Sequence, residues 1–565
     1  MSDAPTGQTV APAPGTLHLV PLGGLGEIGK NMWCLRAGDD IVVLDCGFAF
    51  PSDDMHGVDY VLPDYRYLEA NAERVRAVFI SHGHEDHIGG LPYLLDRVPV
   101  PVYATPLTRS LIEGKLQEHG LLGRIPLLRM DVRDPVTLGS LTVEFLRVPH
   151  SIPDSVAISV KTPVGTVLYS GDFKFDATPI DGQRADYHGL SQLGEEGLLL
   201  LLSDSTNVLR PGFTPSEAAV GPALDAVFAK ATGRLVVTTF ASNIHRVQQV
   251  MDAAARQGRK VALVGRSMVN VCERARALGY LRWEAGLVVE PDAMMALPRE
   301  QALVLTTGSQ GEPLAGLSRL AAGEHRGVRL EAGDTVVISA IPIPGNERSV
   351  SRLVNMFFER GIQVVSESQR LGTHVSGHAS EEELKLMLAL TRPRFFVPMH
   401  GELRHLIRHA ELARALGVPE TRVAILRNGD VLEVGTAECR VVDRVPASPT
   451  LVDGRAGLDV GQSLLRERQR LARDGMVTTV LALDDQGTLC AGPDMVTRGF
   501  LEGNEEAQWL LDEGKRRVVE LVDELKGRGE WNQERLEKQI SDALARFFSE
   551  RTGRKPVQLL VLQRV

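Results

Sequence analysis

Cysteine is scarce in this chain: five among 565 residues, at Cys34, Cys46, Cys272, Cys439 and Cys490. They lie far apart, are odd in number and form no CxxC pair. That excludes a disulfide-stapled scaffold and a cysteine-built zinc module, and it points to a reducing compartment. Long apolar runs are missing too; the longest, such as 198–202, fall far short of the roughly 18 residues a membrane span requires. Positive charge is not in excess, with 62 Lys and Arg against 72 Asp and Glu and a formal net charge of −10. The chain therefore does not act through a bulk cationic field, and a few arginines or bound cations would have to supply any local one. Residues 1–16 have neither a cationic start nor an apolar core. They read as a disordered tail, not a signal peptide, and the protein as cytoplasmic with no membrane attachment. What is present, 43% hydrophobic and 24% charged residues, is ordinary for a globular protein of about three or four domains.

Short β-rich runs at 17–21, 32–35, 41–45, 75–81, 141–148, 156–161 and 166–170 mostly end in Gly, Pro, Asp or His, as strands that deliver loops do. From residue 210 the texture changes: apolar runs at 235–239, 261–264, 302–306 and 335–339 alternate with helical patterns, which implies βαβ units and a parallel sheet. Near 374 the loop chemistry returns, and 395–399 is one more strand, ending in His400. An inserted α/β domain thus interrupts the first texture. The boundaries that follow are 17–209 for the first part, 210–370 for the insertion and 371–444 for the completion. A Pro- and Gly-bearing linker is expected over 445–462, then a small α/β module over 463–565 with helices at 505–526 and 532–551 and strands at 477–483 and 557–562.

The most informative segment is Ser81-His82-Gly83-His84-Glu85-Asp86-His87, directly after an apolar run. Three imidazoles and two carboxylates so close together suit borderline or hard divalent cations. On a loop, 82 and 84 can converge on one ion while 86 and 87 turn toward a second. With 15 His in the chain, three at set positions would arise by chance roughly 0.01 times. His150 closes the run 145–149 and Asp172 follows 167–171. A carboxylate can bridge two cations, so Asp172 is the natural shared ligand.

His-x-His-x-Asp-His, then a lone His, then Gly-Asp resembles the metallo-β-lactamase fold in its dinuclear hydrolase form, an αββα sandwich with metals at the sheet edges. The inserted α/β domain, Ser203-Asp204-Ser205-Thr206, His374-Val375-Ser376-Gly377-His378 and Pro398-Met399-His400-Gly401-Glu402 resemble the β-CASP nucleases. Gly23-Gly24-Leu25-Gly26-Glu27-Ile28-Gly29-Lys30-Asn31 and the separate C-terminal module are similar to bacterial ribonuclease J. The resemblance implies an α/β architecture: the sandwich, an inserted β-CASP domain and a small C-terminal α/β domain. It puts one ion on His82, His84 and His150, a second on Asp86, His87 and His400, and Asp172 between them. It also implies RNA as substrate, because His at the position of His400 accompanies RNA-processing members. The two ions per subunit would be zinc or manganese, with magnesium also compatible.

The implied activity is a ribonuclease with 5′→3′ exonuclease and endonuclease action in RNA maturation and decay. Hydrolysis by a water activated between two ions would leave 5′-phosphates. Asp204 and His378 are assigned jointly to proton transfer, with no finer division, and Asp86 to the catalytic set. Residues 374 to 378 are carried as RNA contacts, ahead of a helix that starts near Ser380 with Glu383 in the capping-box position. Ser242 and Asn243 are a second phosphate cradle or a plain helix cap. Single-stranded RNA with a 5′-monophosphate is the preferred partner; a homodimer or tetramer and RNA-decay partners such as a helicase are implied as well. Two features are set aside. His405 and His409 stand i, i+4 without a zincin's glutamate and read as a surface face or as support for the site. The Gly23–Gly29 stretch reads as a tight turn near it. The rival readings, a lactonase-like hydrolase of small molecules and a scaffold with a vestigial site, sit poorly with the inserted domain and the complete ligand set.

Overall fold

The structure is a computed structural model that describes residues 11–52, 54–310, 315–342, 346–366, 372–454, 458–527 and 532–565. Residues 1–10 of the expected tail, the boundary expected at 370/371 and residues 455–457 of the expected linker lie outside the described residues. The chain divides into two compact units, Met1–Phe50 with Val61–Pro449, and Pro51–Tyr60 with Thr450–Val565.

In the first unit, two sheets pack face to face. One runs Cys439–Arg444, Asp430–Val434, Leu17–Gly23, Met32–Ala37, Asp40–Leu44, Val75–Phe79, Val102–Ala104, Leu127–Arg129. The other runs Phe395–Met399, Leu200–Asp204, Thr166–Tyr169, Val156–Lys161, Leu141–Arg147, Val136–Leu138. Strand alternation fixes what goes inside. Leu19, Trp33, Val42 and Phe79 from the first sheet meet Phe145, Ile158, Tyr169, Leu200 and Phe395 from the second. The neighbours Leu146, Leu168, Leu201 and Phe396 turn the other way, under Leu190, Leu384 and Leu412 of the helices Tyr187–Glu196, Glu381–Thr391 and Leu403–Ala415. The helix Pro106–Glu118 lies against the outer strands of the first sheet. This is the expected αββα sandwich.

Leu200–Asp204 pairs in parallel with Phe395–Met399, Leu200 opposite Phe395 and Asp204 opposite Met399. The chain therefore leaves the sandwich after Asp204 and re-enters it on the adjacent strand. Between lies an all-parallel sheet in the order Lys260–Val264, Ala302–Thr306, Leu235–Thr238, Thr335–Ile338, Gln363–Ser366. Its strands are apolar at successive positions because both faces are covered. Val237, Leu305 and Val337 pack with Leu224, Val247 and Met268, whereas Val236, Val304 and Val336 pack with Leu317, Leu353 and Phe357.

In the second unit, the strands Leu489–Arg498, Met476–Leu483 and Val557–Arg564 form a sheet with the middle strand central. The helices Glu505–Gly527 and Gln533–Thr552 cover one face through Leu510, Val518, Val522, Ile540, Leu544 and Phe548. The stretch expected as a linker differs: it carries the strands Thr450–Asp453 and Leu458–Asp459, paired with Val452 opposite Asp459. A helix not expected at all, Gln462–Asp474, follows it.

Candidate metal centre

The strand Val75–Phe79 delivers the loop that starts at Ser81, and a short helix, Glu85–Ile88, turns Asp86 and His87 inward. The chain at 46–47 crosses this loop closely. A Cβ on Gly47 would lie 1.6 Å from the Asp86 carbonyl oxygen, so only glycine fits there. His150 and Asp172 arrive from the second sheet, His400 from the end of its edge strand with a left-handed φ of 53°. Such a backbone in a non-glycine residue is costly and persists where packing over-determines it.

Three groups of potential ligand atoms converge, each within 4.8 Å: His82, His84, His150 and Asp172; Asp86, His87, Asp172 and His400; Asp172, Asp204, His378 and His400. His82 Nε2 lies 3.0 Å from His84 Nδ1 and 3.7 Å from Asp172 Oδ2. His87 Nε2 lies 3.2 Å from the same Asp172 oxygen, and His400 Nε2 3.3 Å from Asp86 Oδ2. All seven residues read from the sequence as ligands thus meet at one point, with Asp172 shared.

The other ring nitrogens are held, which is what fixes a histidine for coordination. His87 Nδ1 donates to Asp45 Oδ2 at 2.7 Å and His150 Nδ1 to the Gly377 carbonyl at 2.7 Å. His82 Nδ1 stands 3.0 Å from Ser81 Oγ, and His400 Nδ1 2.6 Å from Thr206 Oγ1. Asp45 was missed by the sequence reading, and Ser81 and Thr206, quoted there within motifs, were given no role. The available signal for Asp45 was only that a polar residue follows an apolar strand.

Asp45 is fully buried with φ of 59°. It also accepts from Ser81 N and Oγ, both at 2.7 Å, and from Tyr169 OH at 2.8 Å. Asp45→Asn would set an NH2 against these donors. It is expected to weaken metal binding about 10- to 100-fold, read by titration with manganese; an unchanged affinity would exclude this role.

The charge pattern calls for a cation. Burial, reinforced by the neighbouring rings, holds His82 and His150 well below the usual imidazole range, and burial brings His84 to about 4. These are neutral nitrogen donors. Against the opposing effect of burial, Asp172, Asp86 and Asp45 hold His87 well up, and Asp172, Asp204 and Asp86 raise His400 to about 10. The buried carboxylates thus draw protons onto the rings, where a divalent ion would bring more charge. Asp172 Oδ1 is buried without a hydrogen-bond partner, a costly state for a carboxylate oxygen that a cation would relieve. The donors present, neutral imidazole and carboxylate, fit zinc or manganese.

Asp204 is 1% exposed, and His378 Nδ1 donates to its Oδ2 at 2.8 Å while standing 4.0 Å from Asp172. Of residues 374–378, His374 Nδ1 lies 3.3 Å from an Arg246 nitrogen, and burial, then Arg246, takes it to about 3. Ser376 Oγ accepts from Asn207 and from His378 N–H. Val375 differs from expectation, since its side chain packs into the apolar cluster of the inserted domain. Asn243 accepts from Arg246 N–H at 3.0 Å, capping the helix Ile244–Arg256; Ser242 stands just before it. His405 and His409 are not a surface face. His409 is fully buried, 3.0 Å from Ser205 Oγ, and His405 Nδ1 accepts from Glu402 N–H, because the helix turns that side inward. The 23–31 loop does lie at the site: Asn31 Nδ2 is 3.1 Å from His87 Nε2, and Leu25 and Glu27 bridge to Gly401.

Four family models match the chain. They are the metallo-beta-lactamase superfamily over 25–228, the ribonuclease J beta-CASP domain over 232–357, the Zn-dependent metallo-hydrolase RNA specificity domain over 370–424 and the ribonuclease J C-terminal domain over 463–565. Among similar proteins, a ribonuclease J of Synechocystis sp. is 46% identical, with 97% of this chain and 86% of that one covered. A ribonuclease J of Thermus thermophilus is 42% identical, with 97% and 95% covered. A solved structure from Enterococcus faecalis, described as a protein of unknown function, shares the fold at 16% identity and a TM-score of 0.53, covering 74% of this chain and all of that one.

Proposed function

The chain belongs to the ribonuclease J family, and from that premise we propose that it cleaves RNA at this cluster as both a 5′→3′ exonuclease and an endonuclease. It is a metal-dependent, RNA-cleaving hydrolase of the metallo-β-lactamase fold; the direction of cleavage, the ions and the roles below are our reading. One observation carries it: the two ligand groups share Asp172, and the His378–Asp204 pair opens onto the same point. His82, His84 and His150 would hold one divalent ion and Asp86, His87 and His400 a second, zinc or manganese, with magnesium compatible. Bound there, such ions lower the pKa of an attacking water and neutralise charge on the scissile phosphate.

The protein's own groups do the rest. Asp204 lies behind His378, whose side chain is 20% exposed, so His378 faces the substrate and Asp204 orients it and stabilises its charge. Against the pull of burial, Asp204 raises His378, which suits a donor to the leaving 3′-oxygen. His374, Ser376 and Gly377 line the phosphate path, and Ser242 just before the helix Ile244–Arg256 adds a polar group for a 5′-terminal phosphate, while Asn243 caps that helix and gives its own N–H to the Phe240 carbonyl. Val375 contributes backbone only. The working form would be a cytoplasmic homodimer or tetramer acting on single-stranded RNA, with RNA-decay partners such as a helicase. Among the described residues no helix is long and apolar enough to cross a membrane.

The test uses one RNA with a labelled 5′-monophosphate beside its 5′-triphosphate twin, with manganese and an Asp86→Ala control. Release of labelled mononucleotide from the monophosphate alone, beside labelled fragments from both RNAs, is the expected result. Fragments from both without mononucleotide would leave only endonuclease action, and no cleavage of either with metal bound would overturn the reading.

A further inference from the structure

Glu383 was legible in the sequence only as a helix-capping residue, and it does close a capping box with Ser380. Its carboxylate does more than that. It is fully buried and accepts three backbone N–H groups from three separate segments. Oε1 accepts from Phe175 at 2.8 Å; Oε2 accepts from Thr214 at 2.7 Å and from Ser380 at 2.8 Å. These segments follow Asp172, Asp204 and His378 respectively.

The same three segments are tied to His378 itself. Thr214 Oγ1 donates to the His378 carbonyl at 2.7 Å, and Asn207 Nδ2 donates to it at 3.1 Å. Ala379 N–H donates to the Phe173 carbonyl at 2.7 Å. The residue that grips His378 and the chain that leaves it therefore end on one carboxylate oxygen. A cap would need Ser380 alone; the Thr214 and Phe175 bonds add nothing to the helix.

We propose that Glu383 is a positioning residue for proton transfer: by fastening these three segments it holds His378 at the leaving 3′-oxygen. This rests on His378 being the proton donor. In that step the attacking water forms the new bond to phosphorus and gives up a proton. The P–O3′ bond breaks with its electron pair on the 3′-oxygen, which takes the proton from His378, and water restores it. The products are a 5′-phosphate and a 3′-hydroxyl.

Glu383→Gln keeps size and one acceptor oxygen, but its NH2 must face at least one of the three N–H groups. Two RNAs are compared, one natural and one with sulfur as the 3′-bridging atom of the scissile linkage, whose thiolate leaves without a proton. On the natural RNA kcat falls about 10- to 100-fold with KM unchanged; on the sulfur RNA most of that loss disappears. Bound metal and melting temperature are measured on the same samples. An equal loss on both RNAs, or no loss, overturns the proposal, since a general fault in folding cannot tell the leaving groups apart. If Glu383→Gln does not fold, Thr214→Val removes the grip on the His378 carbonyl together with a bond to Ser380 Oγ, and it must show the same selectivity to a smaller degree. His378→Ala is the reference. If it too loses equally on both RNAs, His378 is not the donor and both readings fall; if it alone is selective, only the role of Glu383 falls.

Discussion

Asp172→Asn is expected to lower RNA hydrolysis at least about 10³-fold in manganese buffer, equivalent to roughly 4 kcal/mol of transition-state stabilisation. Asp172 is the one residue common to all three groups of converging ligand atoms. The substitution keeps the side chain's volume in a site where Asp172 is 2% exposed, so packing is preserved and the loss reports charge. His84→Ala, by comparison, touches one group only. The readouts are kcat on 5′-monophosphate RNA and manganese bound per chain. An Asp172→Asn protein that binds two ions and works within tenfold of wild type would remove Asp172 from the bridging role proposed for it.

The second large effect is on stability. Arg246 is fully buried in the helix Ile244–Arg256 and forms a two-pronged pair with Glu217, Nε to Oε1 at 2.6 Å and Nη2 to Oε2 at 3.0 Å. Its Nη1 donates to Ser339 Oγ at 2.6 Å and lies 3.3 Å from the Thr373 carbonyl. Glu217 in turn accepts from Gln249, and its N–H donates to Asp176. Arg246→Met leaves a buried carboxylate without its cation, which costs about 3–5 kcal/mol. Hydrogen exchange of the parallel-sheet amides is the measurement, because the chain is too large for one unfolding transition. Exchange through global opening of that sheet should accelerate about 10²- to 4 × 10³-fold. Adding Glu217→Gln should recover much of it. An Arg246→Met protein with unchanged exchange would mean that solvent reaches Glu217 in ways its burial does not suggest.

The candidate ligands were readable because His82, His84, Asp86 and His87 fall within six positions and follow a strand whose apolar run is unmistakable. His150 and Asp172 were readable because each ends a strand of the same texture. Asp45 was not, since a lone Asp after 41–44 looks like any turn former. Its role exists only once Asp40–Leu44 pairs in parallel with Val75–Phe79 and sets Asp45 beside Ser81. For His405 and His409 the sequence left a surface face and support for the site both open, because Arg404 and Arg408 beside them suggest a wet face; the helix buries every third or fourth position and so makes them support. The strand Thr450–Asp453 was hidden by the Pro and Gly around it, and the helix Gln462–Asp474 by having few apolar residues. Glu383 was visible as a cap, but bonds to Thr214 and Phe175 depend on segments brought together from across the chain.

The inserted domain also sets a clock on synthesis. Six of the seven proposed ligands leave the ribosome by Asp172, yet His400 follows the whole parallel-sheet domain, which at 5–20 residues per second is on the order of tens of seconds later. Phe395–Met399 takes an outer position in its sheet, as do Asp430–Val434 and Cys439–Arg444 in theirs, so both sheets can assemble before these strands arrive. A nascent chain stalled before Phe395 should therefore fold most of its sandwich and yet leave the message being translated uncut, while one released beyond Arg444 should cut. Cleavage by the earlier stalled chain would show that the centre works without its last ligand.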